Sequence, residues 1–281
     1  MSIFHYNPIC QNFGTQKISN INEYVQVISE DNHSSAIDEF YTSRRRILNI
    51  ASNPSTVDSN RELGNLLFLG LISITENYFR DILTNILHLC PVSQSCSSSQ
   101  SISLGSVIWH DGYRVEKGSF ENISLADAEA VKKTIHKYLN IQLSKSAETI
   151  AALEEYEKIC QLRHAVVHSN SYLSGKNALT LGLESTGKKI SVSIGYKELQ
   201  ETAAICTSLV TSINLELFKV MVERWAIHWP HKPRWTPQKD NSLFNDVWDM
   251  FYSKFDSANN TISDQLTMRK YRNDVKKYFN R

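Results

Sequence analysis

The sequence predicts a mainly α-helical protein. Long segments repeat apolar residues at helical spacing, the stretch 61–91 is apolar nearly all round through its middle, and convincing strand alternation occurs in a single place. At 281 residues the chain is long enough to bury a core without disulfide staples.

The elements follow in order. From Ser34, SSAIDEFYTSRRRILNIA keeps a helical apolar period and runs into Asn53-Pro54, which predicts a first helix with Arg44, Arg45 and Arg46 on a solvated face. RELGNLLFLGLISITENYFRDILTNILHLCP then reads as the central helix of a bundle, stopped by Pro91. The serine-rich stretch 92–106 predicts a mobile surface loop. Ser124 is the expected N-cap, with Asp127 completing a box-like pattern, of a helix through LADAEAVKKTIHKYLNI.

A further helix begins at about Ser146 and runs through CQLRHAVVH. The segment 178–195 alternates apolar and polar residues on both sides of Ser185-Thr-Gly-Lys188, which predicts a small β-hairpin. Helix resumes through KELQETAAICTSLVTSINLELFKVMVERWAI and ends near Trp229-Pro230. An irregular arm rich in Trp and Pro, a short helix and a basic tail from Arg269 to Arg281 complete the chain. The expected organisation is an N-terminal extension (1–33), a helical bundle (34–225) and a C-terminal arm and tail (226–281).

Composition narrows the function classes. Thirty Lys and Arg balance 29 Asp and Glu for a net charge of +1, so binding to nucleic acid or an anionic membrane must come from local patches. The five cysteines, Cys10, Cys90, Cys96, Cys160 and Cys206, form no CxxC pair and read as reduced thiols, which predicts a cytoplasmic protein. The longest apolar candidate, LGNLLFLGLISITENYF, is interrupted by Asn65 and Glu76, so no membrane association is expected.

The segment CQLRHAVVHSN (160–170) carries the chemistry. On an ideal helix Ala152, Tyr156, Ile159, Cys160, Val166 and Val167 lie within roughly 60° of Arg163, which puts a guanidinium in the middle of an apolar stripe. His164 and His168 follow one another along the edge of that stripe. A guanidinium there needs an anion, a pocket or a second chain.

Four readings are open. Arg163 is a core arginine satisfied by a buried carboxylate. His164 and His168 are an i, i+4 zinc pair, although no HExxH glutamate and no third or fourth ligand is evident, so neither metal nor cofactor is expected. Cys160 is a nucleophile beside a base, although its place on the stripe suits an inert thiol. The last reading is metal-free RNA cleavage, in which a histidine moves the 2′-hydroxyl or leaving-group proton and an arginine holds the phosphate.

Arg163-His-Ala-Val-Val-His168 resembles the R-x4-H motif of the HEPN superfamily. The chain is also similar in order: a preceding helix with the patch Ile74-Thr-Glu76-Asn-Tyr78-Phe79-Arg80, then the motif helix, then a closing helix. The resemblance spans roughly 35–225 and implies a HEPN-like bundle, a homodimer with a composite active site, and a metal-independent endoribonuclease. Such proteins act as toxins or as abortive-infection and antiviral effectors, so an antitoxin or another regulatory partner is a further expectation.

By the resemblance, Arg163 binds the phosphate, His168 is the general acid/base and His164 assists, with Glu76, Arg80 and Asn170 as supporting candidates. RNA cut this way carries 2′,3′-cyclic phosphate and 5′-hydroxyl ends. The alternative is a non-catalytic HEPN-like module that binds RNA or a nucleotide. In relatives controlled by tyrosine modification a tyrosine lies two residues past the motif; here that position is Asn170 and Tyr172 is two further on, which departs from the pattern. Arg224, Trp229, Lys232 and Arg234 interleave charge with aromatic faces and form a candidate RNA platform, against the reading that the tryptophans glue the arm to the bundle.

Overall fold

A computed structural model describes residues 15–27, 34–110, 114–143, 146–185, 187–233, 235–259 and 267–281. The chain divides into two units, Met1–His33 and Ser34–Arg281. In the first, Asn20 caps a 3-10 turn at Ile21–Tyr24 by accepting from the Asn22 N–H at 3.1 Å.

The second unit is mainly α-helical, as the apolar periods predict. In chain order its helices are α1 (Ala36–Ile50), α2 (Pro54–Ser59), α3 (Arg61–Leu89), α4 (Pro91–Cys96), α5 (Leu104–Trp109) and α6 (Ala128–Leu139). They continue with α7 (Ala147–His168), α8 (Gly175–Thr180), α9 (Tyr196–Glu223), α10 (Asp240–Phe251), α11 (Lys254–Ala258) and α12 (Met268–Tyr278). The centre is α3, packed on α1 and α9, with α7 packed on α9 and touching α3 through Tyr156 and Phe79. Their shared core includes Phe68, Leu71, Phe79 and Ile82 of α3, Leu153, Tyr156 and Ile159 of α7, and Leu209, Ile213 and Leu217 of α9.

Caps set the helix starts. Ser35, Asn60, Asp127 and Ser146 each accept a backbone N–H three residues on, satisfying a donor that the first turn leaves free. For α6 the cap is therefore Asp127, at 2.6 Å from the Ala130 N–H, and not Ser124. The serine-rich stretch is ordered into α4 and α5: Cys90 and Ser103 cap them, and Pro91 fits the first helical position. Arg44 also departs from the solvated-face expectation, since it donates to Thr207 of α9 and lies over the Tyr41 ring.

The expected hairpin at 178–195 is replaced by α8 and an extended return. Ser174 caps α8 and Asn177 is buried, donating to the Gln161 carbonyl at 3.4 Å. Leu179 and Leu183 stay exposed, so this half of the alternation has no core face to bury. The other half does, because Val192 and Ile194 are buried. That half meets the residues just after α7 in an isolated antiparallel bridge, Tyr172 with Ser191, beside hydrogen bonds from Leu173 N–H to the Ile190 carbonyl and from Val192 N–H to the Ser171 carbonyl.

Two residues of α3 hold this return in place. Gly64 lies so close that a Cβ there would sit 1.9 Å from the Ile194 carbonyl oxygen. Buried Asn65 donates to the Ser171 hydroxyl at 3.1 Å and accepts from the Ile194 N–H at 3.3 Å.

Helix α9 continues through a π-helical turn, Arg224–His228, and a 3-10 turn, Trp229–His231. By length and composition alone Tyr196–His231 is long and apolar enough to cross a bilayer, whereas the candidate read from sequence was 63–79; half of its most apolar stretch is buried inside the fold, as in the core helix of a bundle. The C-terminal segments dock on this end. Trp225 is fully buried, edge-on to Phe244, and donates to the Asp240 carbonyl at 3.1 Å. The Asp240 carboxylate takes Trp235, Lys276 and Arg281.

Candidate functional site

Helix α7 carries the motif. Its buried side, Thr149, Ala152, Leu153, Tyr156, Ile159 and Cys160, follows the predicted stripe, and Arg163 is the next residue along it. The stripe outlasts the core: Arg163 and Val166 are half-buried, and Val167, placed on the stripe by the helical wheel, is 43% exposed. Among the described residues the Arg163 guanidinium has no hydrogen-bond or ion-pair partner. The reading of a core arginine satisfied by a buried carboxylate therefore fails.

His164 and His168 are exposed, with ring centroids 4.8 Å apart and planes tilted by 50°. Neither imidazole has a hydrogen-bond partner among the described residues. The helix ends in a tight turn, where the N–H groups of Ser169 and Ser171 both reach the Ala165 carbonyl, at 3.1 and 3.0 Å. Asn170 and Ser171 take left-handed φ values of 48° and 66°, and Asn170 is exposed.

Cys160 is no nucleophile. It is buried, and burial first, then the nearby Glu157 carboxylate, push its thiol well above the usual range. Cys206 is likewise pushed up to about 11 by burial. Cys90 is buried and Cys96 exposed, all four as free thiols; Cys10 lies outside the described residues. Among the described residues no group of three or more His, Cys, Asp or Glu side chains is arranged to hold a metal ion.

No protein-family model, curated protein or solved structure matches this chain. The site therefore rests on its own geometry.

The supporting candidates divide. Glu76 and Arg80 form a 3.2 Å pair on α3, but they are spent on a loop: Glu76 accepts from the Leu125 N–H at 2.8 Å and Arg80 donates to the Ile123 carbonyl at 3.1 Å. The Leu125 carbonyl in turn takes the Tyr156 hydroxyl at 3.2 Å, about 10 Å along α7 from Arg163 at 1.5 Å per residue. They clamp the bundle and are not brought to the motif. Asn170 stays beside it.

The arm is glue. Arg224 is buried and bonds the Leu139 carbonyl at 2.7 Å, the Ser93 hydroxyl at 3.0 Å and the Asn140 carbonyl at 3.4 Å. Trp229 is buried with its indole N–H unpartnered, so it offers no stacking face, and Lys232 is half-buried beside it along a small cavity. Arg234 lies outside the described residues. The tail is docked too, since Arg281 stacks over Trp225 at 4.5 Å and donates to the Trp225 carbonyl at 2.8 Å.

Asn65 was noted from sequence only as a break in an apolar run and Tyr172 only as a departure from the tyrosine pattern, and Lys189 was missed. A polar Asn65 inside an apolar run was the available signal; Lys189 Nζ, 5.3 Å from the Tyr172 ring centroid, had none. Elsewhere, a cavity of about 820 Å³ between α9 and the segment after α6 is lined by Glu148, Lys219, Glu223 and Glu216. Glu216 is buried there with both carboxylate oxygens unpartnered.

Proposed function

We propose that the protein is a metal-independent endoribonuclease of HEPN type, working as a homodimer whose active site joins the α7 ends of two copies. The observation that carries this reading is Arg163, a half-buried guanidinium with no partner among the described residues, next to two exposed histidines at a helix end. A guanidinium that is not used inside the fold is available to bind a substrate phosphate.

The chemistry balances without a cofactor. A histidine takes the proton of the 2′-hydroxyl, the O2′–P bond forms as the P–O5′ bond breaks, and a protonated histidine gives its proton to the departing 5′-oxygen. Arg163 neutralises the charge that develops on phosphorus-bound oxygen. The products are a 2′,3′-cyclic phosphate and a 5′-hydroxyl. His168 is assigned as general acid/base and His164 as its assistant. The biological role in keeping with this activity is a cytoplasmic toxin or antiviral abortive-infection effector, held in check by an antitoxin or another regulatory partner.

The test is cleavage of RNA by purified protein in EDTA. Arg163→Ala and His168→Ala each abolish it while circular dichroism and the dimer are unchanged; cleavage that persists in either folded variant rejects the site. A second reading has its own observation: among the described residues neither imidazole has a partner to fix its tautomer, as a poised base usually does. It makes the α7 end a non-catalytic grip for RNA or a nucleotide. Retention of RNA without turnover, and equal growth of cells expressing wild type or His168→Ala, distinguish it.

A further inference from the structure

Four residues past His168 the chain shows an aromatic ring to solvent. Tyr172 is 42% exposed, and the exposed ammonium of Lys189 stands 5.3 Å from its centroid. The backbone that carries the ring is strained and tightly held. Asn170 takes the left-handed conformation that commonly ends a helix, and Ser171 follows it in the same region, which a serine seldom occupies. Hydrogen bonds hold them there: Tyr172 N–H to the Ser169 carbonyl at 2.8 Å, Val192 N–H to the Ser171 carbonyl at 2.8 Å, and Asn65 to the Ser171 hydroxyl at 3.1 Å.

The antiparallel bridge between Tyr172 and Ser191 then brings Lys189 alongside the ring. Strain kept by this many contacts is characteristic of functional positions. A ring left in water contributes little to the core, and a cation beside it selects a ligand with both a π face and negative charge.

We propose that Tyr172 and Lys189 form a nucleotide subsite, in which a base flanking the scissile phosphate stacks on Tyr172 while Lys189 pairs with the adjoining phosphate. The preferred substrate is then single-stranded RNA, because bases inside a duplex are already stacked on one another and cannot reach a protein ring. This subsite rests on reading the α7 end as the ribonuclease site.

The test uses a fluorescent single-stranded 2′-O-methyl oligonucleotide, which lacks the attacking hydroxyl and so reports binding alone, beside the same sequence as a duplex. Tyr172→Leu weakens single-strand binding about ten-fold, while Tyr172→Phe and Tyr172→Trp retain or tighten it and duplex binding is unchanged. On cleavable RNA, Tyr172→Leu raises KM by a similar factor and leaves kcat in place. A Tyr172→Leu protein that binds and cleaves like wild type overturns the subsite and leaves the ribonuclease reading standing. Binding that depends on Tyr172 without any cleavage supports base stacking on Tyr172 but overturns its place beside a scissile phosphate together with the ribonuclease reading. A wild type that binds neither oligonucleotide overturns both.

Discussion

The rings of His164 and His168 lie 4.8 Å apart on the exposed end of α7, while Arg163, adjacent in sequence to His164, turns onto the half-buried stripe. Five helical positions separate Arg163 from His168, which puts them about 140° apart around the axis. One chain's arginine and the histidine proposed as its acid/base therefore diverge, which fits the proposed dimer in which a second copy supplies the missing group. Mixed dimers test this. Arg163→Ala and His168→Ala proteins, each inactive alone, recover a substantial part of wild-type RNA cleavage when refolded together; mixtures that stay inactive reject a site shared in this way.

Two arginines should respond oppositely to substitution. Arg163 has no partner among the described residues, so Arg163→Leu leaves stability unchanged or raises it by about 1 kcal/mol while removing cleavage. Arg224 satisfies two carbonyls and a hydroxyl in the interior, so Arg224→Ala costs about 3 kcal/mol by orphaning them and leaving a cavity. Urea denaturation of both variants measures the contrast.

The Glu216 carboxylate has no protein donor among the described residues and lines the cavity of about 820 Å³ beside α9. Glu216→Leu should therefore leave stability unchanged or raise it by about 1 kcal/mol, read as an equal or higher thermal midpoint. A lower midpoint would mean that Glu216 has an ionic partner in solution.

Acid should release the C-terminal tail. Burial alone would raise the Asp240 carboxyl, but hydrogen bonds from Lys276 and Trp235 and the Arg281 charge together hold it below the usual carboxylate range. Its contribution is present above the unfolded carboxylate value of about 3.9 and is lost as pH falls through the lower folded value. Trp225 and Trp235 fluorescence should report that step, and Asp240→Asn should remove it while loosening α12 at neutral pH.

Cys160 provides the negative control. Because burial holds its thiol protonated, Cys160→Ala should leave RNA cleavage unchanged and cost about 1 kcal/mol of stability, measured on the same preparations.

Much of the scaffold was legible because helical periodicity and stop signals are local. The apolar run of α3 ending at Pro91, the stripe on α7 and the length of α9 were all readable from spacing. The 178–195 stretch misled because alternation shows only that one face could be buried. Whether a face is buried depends on what packs against it, and here Val192 and Ile194 found α3 while Leu179 and Leu183 found solvent. The arm misled for a related reason: Arg224 and Trp229 have the composition of a nucleic-acid platform, but both are buried.

The sequence by itself determined a helical protein and one chemically unusual place, an arginine on an oily stripe followed by two histidines. Helical geometry is a property of spacing, so the angular relation of Arg163, His164 and His168 was already contained in it. Only the tertiary structure decided that Arg163 has no carboxylate partner among the described residues, that Glu76 and Arg80 clamp a loop, and that Asn65 and Gly64 pin a return segment which sets Lys189 beside Tyr172. Those are contacts between residues tens to more than a hundred positions apart, and which of them form is decided by how the helices pack.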